Sequence, residues 1–200
     1  MVEKINNMED IIEKPICIDL GCGQNKATPE YFIQNNLVTE IPDKVIGVDF
    51  VKTESCDVQH NLTIFPYPFE DESVDAIHCS HFLEHLDGFE RMKFFNECYR
   101  ILKPKGKIKL VHPYYKSSRA QQDPTHKAPF LCEASYLYWD KNWREINKLD
   151  HYPINCDYNF WIAYTFMDNV WLNKSEEARN FAIKHYFDVV ADMIVEMQKK

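Results

Sequence analysis

A short apolar run that ends in two closely spaced glycines constrains the fold of this chain more than any other feature. Residues 16–20 read Ile-Cys-Ile-Asp-Leu, and Gly21 and Gly23 follow with Cys22 between them. A strand that ends in Gly-x-Gly exposes bare backbone at the carboxyl edge of a sheet, where a ligand approaches closely. The pattern predicts an α/β sheet that binds a nucleotide-like ligand at this edge.

The rest of the first half alternates strand-like runs with helical patterns. The candidate strands after the first are residues 45–49, 55–61, 74–79 and 107–111. Asp87 and Glu90 have the spacing of a capping box, and the helix that they begin is expected to end at the Pro/Gly turn of residues 103–106. This alternation predicts a doubly wound, mostly parallel sheet with helices on both faces.

The second half has a different character. Residues 113–152 are polar and aromatic with few strand signals, whereas residues 158–166 resemble a strand and Ser175 begins a helix that runs to about Tyr186. The apolar positions of residues 189–198 fit both a helical face and a strand face.

Composition limits the function classes. A chain of 200 residues with 45% hydrophobic residues fits one soluble domain, and a net charge of −8 makes a nucleic acid partner unlikely. We expect no membrane association, because no run approaches about 20 apolar residues, and no secretory leader, because residues 1–10 lack an apolar region. Seven scattered cysteines without Cys-x-x-Cys predict reduced thiols in a cytoplasmic protein and no structural zinc. No feature specifies an oligomeric state.

The glycine loop is compatible with two ligands. A dinucleotide site normally has a third glycine three residues after the second, but Lys26 stands there and disfavours a dehydrogenase. S-adenosylmethionine has no phosphate, and the carboxylate of Asp19 could favour its cationic end. Asp49, at the end of the second run, could accept both ribose hydroxyls; the alternative is an ordinary turn residue.

Five segments in order resemble the class I methyltransferases, near the group called methyltransferase type 11. The segments are residues 19–23, 47–49, 65–75, 83–86 and 97–106. The resemblance implies a seven-stranded Rossmann-like sheet, S-adenosylmethionine as cofactor and S-adenosylhomocysteine as product. It also implies an antiparallel C-terminal hairpin, which favours a strand over residues 189–198. We therefore expect one domain over residues 1–200: a cofactor-binding core (16–112), a substrate-side insertion (113–152) and a hairpin region (153–200).

The resemblance also implies roles for single residues around the cofactor. The methionine end would be contacted by the glycine loop and by the residues after the fourth strand, the ribose and adenine by residues after the second and third strands. The implied residues are Asp19, Gly21, Cys22, Gly23, Ser80 and His81 for the methionine end, Asp49 for the ribose, and Phe50, Asn61 and Leu62 for the adenine. Asp57 is the alternative to Asn61, which stands where the family has an acid.

Methyl transfer needs an aligned acceptor and, for some acceptors, a base. The candidate bases are His85, His112, Asp123, His126 and His151, of which His126, Asp123 and His85 are the predicted catalytic residues. The alternatives are a packing role for His85 and an ordinary Asp-Pro turn at 123–127.

We expect no metal, because His81 and His85 lie one helical turn apart but the sequence places no third ligand beside them. Aromatic residues of the insertion could form either a wall for a ring-shaped acceptor or simply core. They are Tyr114, Tyr115, Phe130, Tyr138 and Trp139.

The predicted function is methyl transfer to an oxygen or nitrogen of a small-molecule acceptor such as a sugar, nucleoside or metabolite. The motifs of amino-methylating DNA enzymes, cytosine C5 enzymes and arginine methyltransferases are missing from their expected places. The alternatives are a non-catalytic S-adenosylmethionine-binding regulatory protein and a methyltransferase that acts on nucleic acid or protein.

Overall fold

One seven-stranded sheet organises the protein. The computed structural model describes residues 14–200, so the prediction for residues 1–10 lies outside the described part. The strands are β1 (Cys17–Leu20), β2 (Val45–Asp49), β3 (Val58–Gln59), β4 (Val74–Ser80), β5 (Leu102–Pro113), β6 (Tyr158–Phe166) and β7 (Val190–Lys199). Their order is β3-β2-β1-β4-β5-β7-β6, with the first five parallel and β7 antiparallel to both of its neighbours. The predicted Rossmann-like α/β fold with an antiparallel C-terminal hairpin is confirmed.

Helices and short 3₁₀ turns connect the strands. The α-helices are α1 (Pro29–Gln34), α2 (Gly88–Ile101), α3 (Ser118–Gln122), α4 (Lys141–Ile146) and α5 (Glu176–His185), and the 3₁₀ turns are Leu83–His85, Glu133–Trp139 and Asn169–Asn173. Helix α2 begins at the predicted capping box: Asp87 Oδ1 accepts from the Glu90 amide at 2.9 Å, and Glu90 Oε2 accepts from the Asp87 amide at 2.7 Å. Ser175 caps α5 as expected.

Strand β5 begins five residues earlier than predicted. Leu102 already pairs with Val74, whereas the next pair joins Lys107 to Ala76, so residues 103–106 bulge out of the ladder. Lys105 adopts a φ of 65° within this bulge. Pro and Gly were correctly recognised as a local break, but the break interrupts a strand rather than preceding one.

The last strand settles the ambiguity of residues 189–198. Met193, Val195 and Met197 are fully buried and alternate with partly exposed residues, the two-residue period of a strand. Their face joins the main core, which packs side chains from β1, β4, β5 and α2. The hairpin β6–β7 therefore forms one edge of the sheet, and the buried face of β7 holds it against the core.

The aromatic residues of the insertion mostly build core. Tyr114 and Trp139 are buried, and the Trp139 ring packs 4.2 Å from that of Phe95. Tyr115 and Tyr138 pack against the same core, so the packing of these four residues favours the second alternative, a role in the core. All seven cysteines are free and six are buried. Within residues 14–200, no helix combines the length and apolarity that a membrane span requires.

Candidate functional site

The glycine loop after β1 is a tight turn that only glycine fits well. Gly21 and Gly23 adopt φ values of +74° and +53°, in the left-handed region. A Cβ on Gly21 would lie 3.0 Å from Cβ of Phe82. The amides of Gly21 and Cys22 both donate to Val48 O, at 2.9 and 3.2 Å, so the loop is anchored on β2.

Asp49 connects the end of β2 to this loop. Its carboxylate is mostly buried and accepts from the amides of Gly23 and Val51, both at 2.9 Å. Thr53 adds a second tie, because its hydroxyl donates to Gly23 O at 2.6 Å. A carboxylate oxygen can accept more than one hydrogen bond, so Asp49 retains capacity for a ribose.

The buried carboxylate of Asp19 forms hydrogen bonds to the segment after the glycine loop and to β4. Its Oδ2 accepts from the Ala27 amide and its Oδ1 lies 2.8 Å from His78 Nδ1, while the residue is only 2% exposed. Both oxygens therefore have protein partners. A direct contact with the cationic end of a ligand stays a prediction.

The three residues expected to contact the adenine differ in their surroundings. Phe50 is 68% exposed, as a stacking residue would be before its ligand binds. Asn61 Oδ1, however, already accepts from the amide and the hydroxyl of Thr63, and the side chain of Leu62 lies in the core. The sequence did not reveal this local Asx turn, which competes with the adenine contact expected of Asn61.

The alternative adenine acceptor, Asp57, is also engaged. Lys26 and the Gly47 amide both donate to Asp57 Oδ2, and the hydrogen bond from Lys26 lowers the pKa of this carboxyl. Gly47 has no room for a side chain here, because a Cβ would lie 2.2 Å from Ser55 O. Lys26, which stands where a dinucleotide site has its third glycine, thus fixes the chain beside the glycine loop.

A second group of polar residues lies after β4 and β5. A cavity of about 230 Å³ is lined by the three predicted catalytic residues together with His81 and Glu84. The other lining residues are Pro113, Arg119 and Gln122. His81 directly follows β4 and Pro113 ends β5, so the cavity lies at the carboxyl edge of the sheet, beside the strand that carries the glycine loop.

Glu84 is the residue of this cavity that sequence reasoning missed. It is 5% exposed, and its Oε1 lies 3.3 Å from His81 Nδ1 and 4.0 Å from His126 Nε2. The hydrogen bond that His81 donates to Glu84 raises the pKa of His81. Burial acts to raise the pKa of Glu84, but the hydrogen bond from His81 and nearby positive charge outweigh it, so the pKa lies below its ordinary value. The signal available in the sequence was a single acid between two histidines.

Asp123 acts on His85 through a third residue. The Thr125 hydroxyl donates to Asp123 Oδ1 at 2.7 Å, and His85 Nδ1 lies 2.9 Å from the same hydroxyl oxygen. The hydrogen bonds from Thr125 lower the pKa of Asp123, which makes it a weaker base. The structure therefore favours a positioning role for Asp123.

A buried arginine holds the insertion against the turn that follows β4. Arg91 of α2 is 3% exposed, and its guanidinium donates to the carbonyl oxygens of Leu83, Pro129 and Lys127. The Lys127 amide also donates to Glu84 O at 2.9 Å. These bonds explain why residues 123–127, about 40 positions after His85, lie beside it.

The two remaining candidate bases lie apart from the cavity. His112 is fully buried, its Nε2 is 2.8 Å from the Tyr136 hydroxyl, and burial lowers its pKa to about 4. His151 is exposed and packs on Tyr152. Neither lines the cavity beside β4.

A larger cavity, of about 410 Å³, lies at the opposite end of the sheet. Its lining includes Pro15, Asp75 and residues 103–107, at the amino ends of β1, β4 and β5. Ligands of open α/β sheets bind at the carboxyl ends of the strands. This cavity is therefore not the candidate site.

A glycine loop after β1, an acid at the end of β2 and this strand order define the fold of class I methyltransferases. Residues 18–110 match the family model described as "Methyltransferase domain". Residues 18–110 are thus similar to the methyltransferase domain family, and the chain has the fold of class I, S-adenosylmethionine-dependent methyltransferases.

The curated relatives that the chain resembles are also named as methyltransferases. An uncharacterized methyltransferase-like protein of Schizosaccharomyces pombe is 34% identical over 110 residues, which are 50% of this chain and 39% of that protein. A probable S-adenosylmethionine-dependent methyltransferase of Mycolicibacterium smegmatis is 28% identical over 48% of this chain and 37% of its own. The chain thus spans about two fifths of the length of the curated relatives that it matches.

The solved structures show the fold. A SAM-dependent methyltransferase of Archaeoglobus fulgidus superposes with a TM-score of 0.59 at 19% identity, covering 93% of this chain and 86% of that one. Geranyl diphosphate C-methyltransferase of Streptomyces coelicolor, solved with S-adenosyl-L-homocysteine, gives 0.53 at 13% identity, over 93% and 72% of the two chains.

Proposed function

We propose that this protein transfers the methyl group of S-adenosylmethionine to an oxygen or nitrogen of a small-molecule acceptor, such as a sugar, nucleoside or metabolite. One observation carries the proposal: the glycine loop and the histidine-containing cavity meet at the same edge of the sheet, on the neighbouring strands β1 and β4. The first would hold the cofactor and the second the acceptor.

The reaction would be a direct displacement. A lone pair of the acceptor attacks the methyl carbon, the bond from that carbon to sulfur breaks, and S-adenosylhomocysteine leaves while the acceptor loses a proton. The contribution of the chain is alignment and, for a hydroxyl or neutral amine acceptor, acceptance of that proton. His126 is the favoured base, with His85 held in place by Thr125 and Asp123.

Size and charge favour a small acceptor. The cavity of about 230 Å³ is mostly polar, and the chain carries a net charge of −8. Both features suit a compact polar molecule better than a nucleic acid. The free, mostly buried cysteines support a reducing compartment, so we place the reaction in the cytoplasm.

Calorimetry tests the proposal in its first step. We expect S-adenosylmethionine and S-adenosylhomocysteine to bind one per chain and NAD not to bind; binding of NAD alone would refute the proposal. In the second step, release of S-adenosylhomocysteine is measured with panels of sugars, nucleosides and small metabolites, with short RNA, DNA and peptides alongside. Turnover with a macromolecule alone would replace the small-acceptor assignment, and cofactor binding without turnover on any panel would favour the regulatory protein.

A further inference from the structure

Three potential metal ligands converge in the cavity beside β4. One ligand atom each from Glu84, His85 and His126 lies within 4.8 Å of the other two, and within residues 14–200 this is the one such group of three. Three donor atoms that surround a common ion tetrahedrally at about 2.1 Å lie about 3.4 Å apart. Separations of up to 4.8 Å would therefore shrink by up to about 1.4 Å when all three bind one ion.

In His85 and in His126, Nδ1 is engaged in a hydrogen bond, which leaves Nε2 free to bind an ion. His126 Nδ1 lies 3.0 Å from Ala120 O, which can only accept, so this nitrogen carries the proton and Nε2 carries the lone pair. Thr125 gives its hydroxyl proton to Asp123, and its oxygen therefore accepts from His85 Nδ1. A histidine that binds a metal through one nitrogen usually donates the N–H of its other nitrogen to a backbone carbonyl, a carboxylate or water. The contact of His126 is of this kind, and the hydroxyl that accepts from His85 is itself hydrogen-bonded to the carboxylate of Asp123.

The carboxylate of Glu84 supplies an independent indication. Glu84 is 5% exposed, and its Oε2 has no hydrogen-bond partner among the described residues. A buried carboxylate oxygen without a partner is costly, and neither His81 nor His126 reaches it, since both lie near Oε1. A cation beside Oε2 would remove this cost.

The ligands are also held in place before any ion binds. The Lys127 amide bonds to Glu84 O, and Arg91 holds the carbonyl groups on both sides of the cluster. Preorganised ligands lose little conformational entropy on binding. The expectation of no metal rested on the lack of a third ligand, and the fold supplies it from residue 126.

We propose that Glu84, His85 and His126 bind a divalent transition-metal ion. Two imidazoles and one carboxylate suit Mn²⁺, Fe²⁺, Co²⁺ or Zn²⁺, whereas Mg²⁺ and Ca²⁺ prefer oxygen ligands throughout. His81 lies 3.3 Å from Glu84 Oε1 but does not belong to the converging group, so it is not counted as a ligand.

Three protein ligands leave open positions on such an ion. Resting on the proposed function, these positions would take the acceptor oxygen that is methylated, because an ion-bound hydroxyl loses its proton more easily. With the ion bound, the lone pair of His126 is engaged, so the ion would take over the role given above to His126 as base. The acceptor would then carry a hydroxyl at the methylated position.

To test the site, the full chain is titrated with Mn²⁺ and, separately, with Co²⁺. Binding of Mn²⁺ is measured by electron paramagnetic resonance and binding of Co²⁺ by its visible absorption spectrum. Mn²⁺ is chosen because thiolates attract it weakly, and Co²⁺ because it binds N/O sites more tightly. We expect one ion per chain, with affinity reduced at least tenfold in Glu84→Gln and in His126→Gln. His185→Gln is the matched control, because His185 is an exposed histidine on α5, and it should bind like the wild type.

Folding is checked by thermal melting, and the metal should raise the midpoint of the wild type and of His185→Gln only. If Glu84→Gln does not fold, His126→Gln and His85→Gln carry the comparison. Failure of both ions to bind the wild type, or unchanged affinity in the folded cluster variants, would overturn the site. S-adenosylhomocysteine binding, measured on the same samples, separates this from the proposed function: cofactor binding without metal refutes the metal site alone, and metal binding without the cofactor refutes the methyltransferase.

Discussion

Arg91→Met tests whether one buried guanidinium holds the candidate catalytic segment in place. The guanidinium donates three hydrogen bonds, to Leu83 O at 3.2 Å, Pro129 O at 2.6 Å and Lys127 O at 3.1 Å. Bonds from a charged donor contribute about 1.5–3 kcal/mol each, so the gross sum for three bonds is about 4.5–9 kcal/mol. Methionine keeps most of the apolar stem but none of the donors.

The net loss should be smaller than this sum. Lys127 and Pro129 are exposed residues, so water replaces the arginine at their carbonyl groups, whereas Leu83 is buried. Removing Arg91 also removes the cost of burying its charge. We therefore expect the free energy of unfolding to fall by about 2–4 kcal/mol.

Two measurements check this reasoning. Urea unfolding gives the stability, and amide hydrogen exchange of residues 123–130 gives the local effect, which should be a selective loss of protection. Arg91→Lys is the control, because lysine retains the charge but cannot span three carbonyl groups. Its stability and its protection at residues 123–130 should lie between those of the wild type and of Arg91→Met. Unchanged exchange of residues 123–130 in a folded Arg91→Met variant would refute the anchoring role.

The remaining predictions concern the cofactor, the base and acid stability. Asp49→Ala should weaken S-adenosylhomocysteine binding by at least about 1 kcal/mol in calorimetry, whereas Thr53→Val, which loses only a tie to the loop, should have a smaller effect; equal losses would contradict a ribose contact. His126→Ala should lower turnover in the S-adenosylhomocysteine release assay and leave cofactor affinity intact, and full activity would reject it as base. Because burial lowers the pKa of His112 to about 4, below the ordinary value of 6.5, the unfolded chain binds the additional proton between these pH values, and stability should fall as the pH drops from 6.5 to 4. The loss is at most about 3 kcal/mol; urea unfolding across this range should show a shallower pH slope in His112→Gln, and an identical slope would contradict the assignment.

Local patterns in the sequence predicted the sheet well. The bounds of β2 and β6 were predicted exactly, because a buried apolar run and an alternating run are both local signals. The capping box at Asp87 is equally local. Residues 103–106 show the limit: Pro and Gly mark a break, but only the pairing of Leu102 with Val74 shows that the break is a bulge within β5.

The candidate site was only partly predictable, for the same reason. The glycine loop and Asp49 are sequence motifs, and the structure brings them together through the bond from the Gly23 amide. The approach of His126 to Glu84 depends on Arg91 and on the Lys127 amide, and no spacing rule reports contacts across 40 residues. Asn61 was assigned to the adenine by position, but its own turn engages its oxygen.

The most direct test is a structure with S-adenosylhomocysteine bound. We predict that the methionine end lies along residues 21–23, that the ribose hydroxyls bond to Asp49, and that the sulfur faces the cavity of His81, Glu84 and His126. A ligand bound at the amino ends of the strands, or a sulfur that faces away from this cavity, would contradict the account.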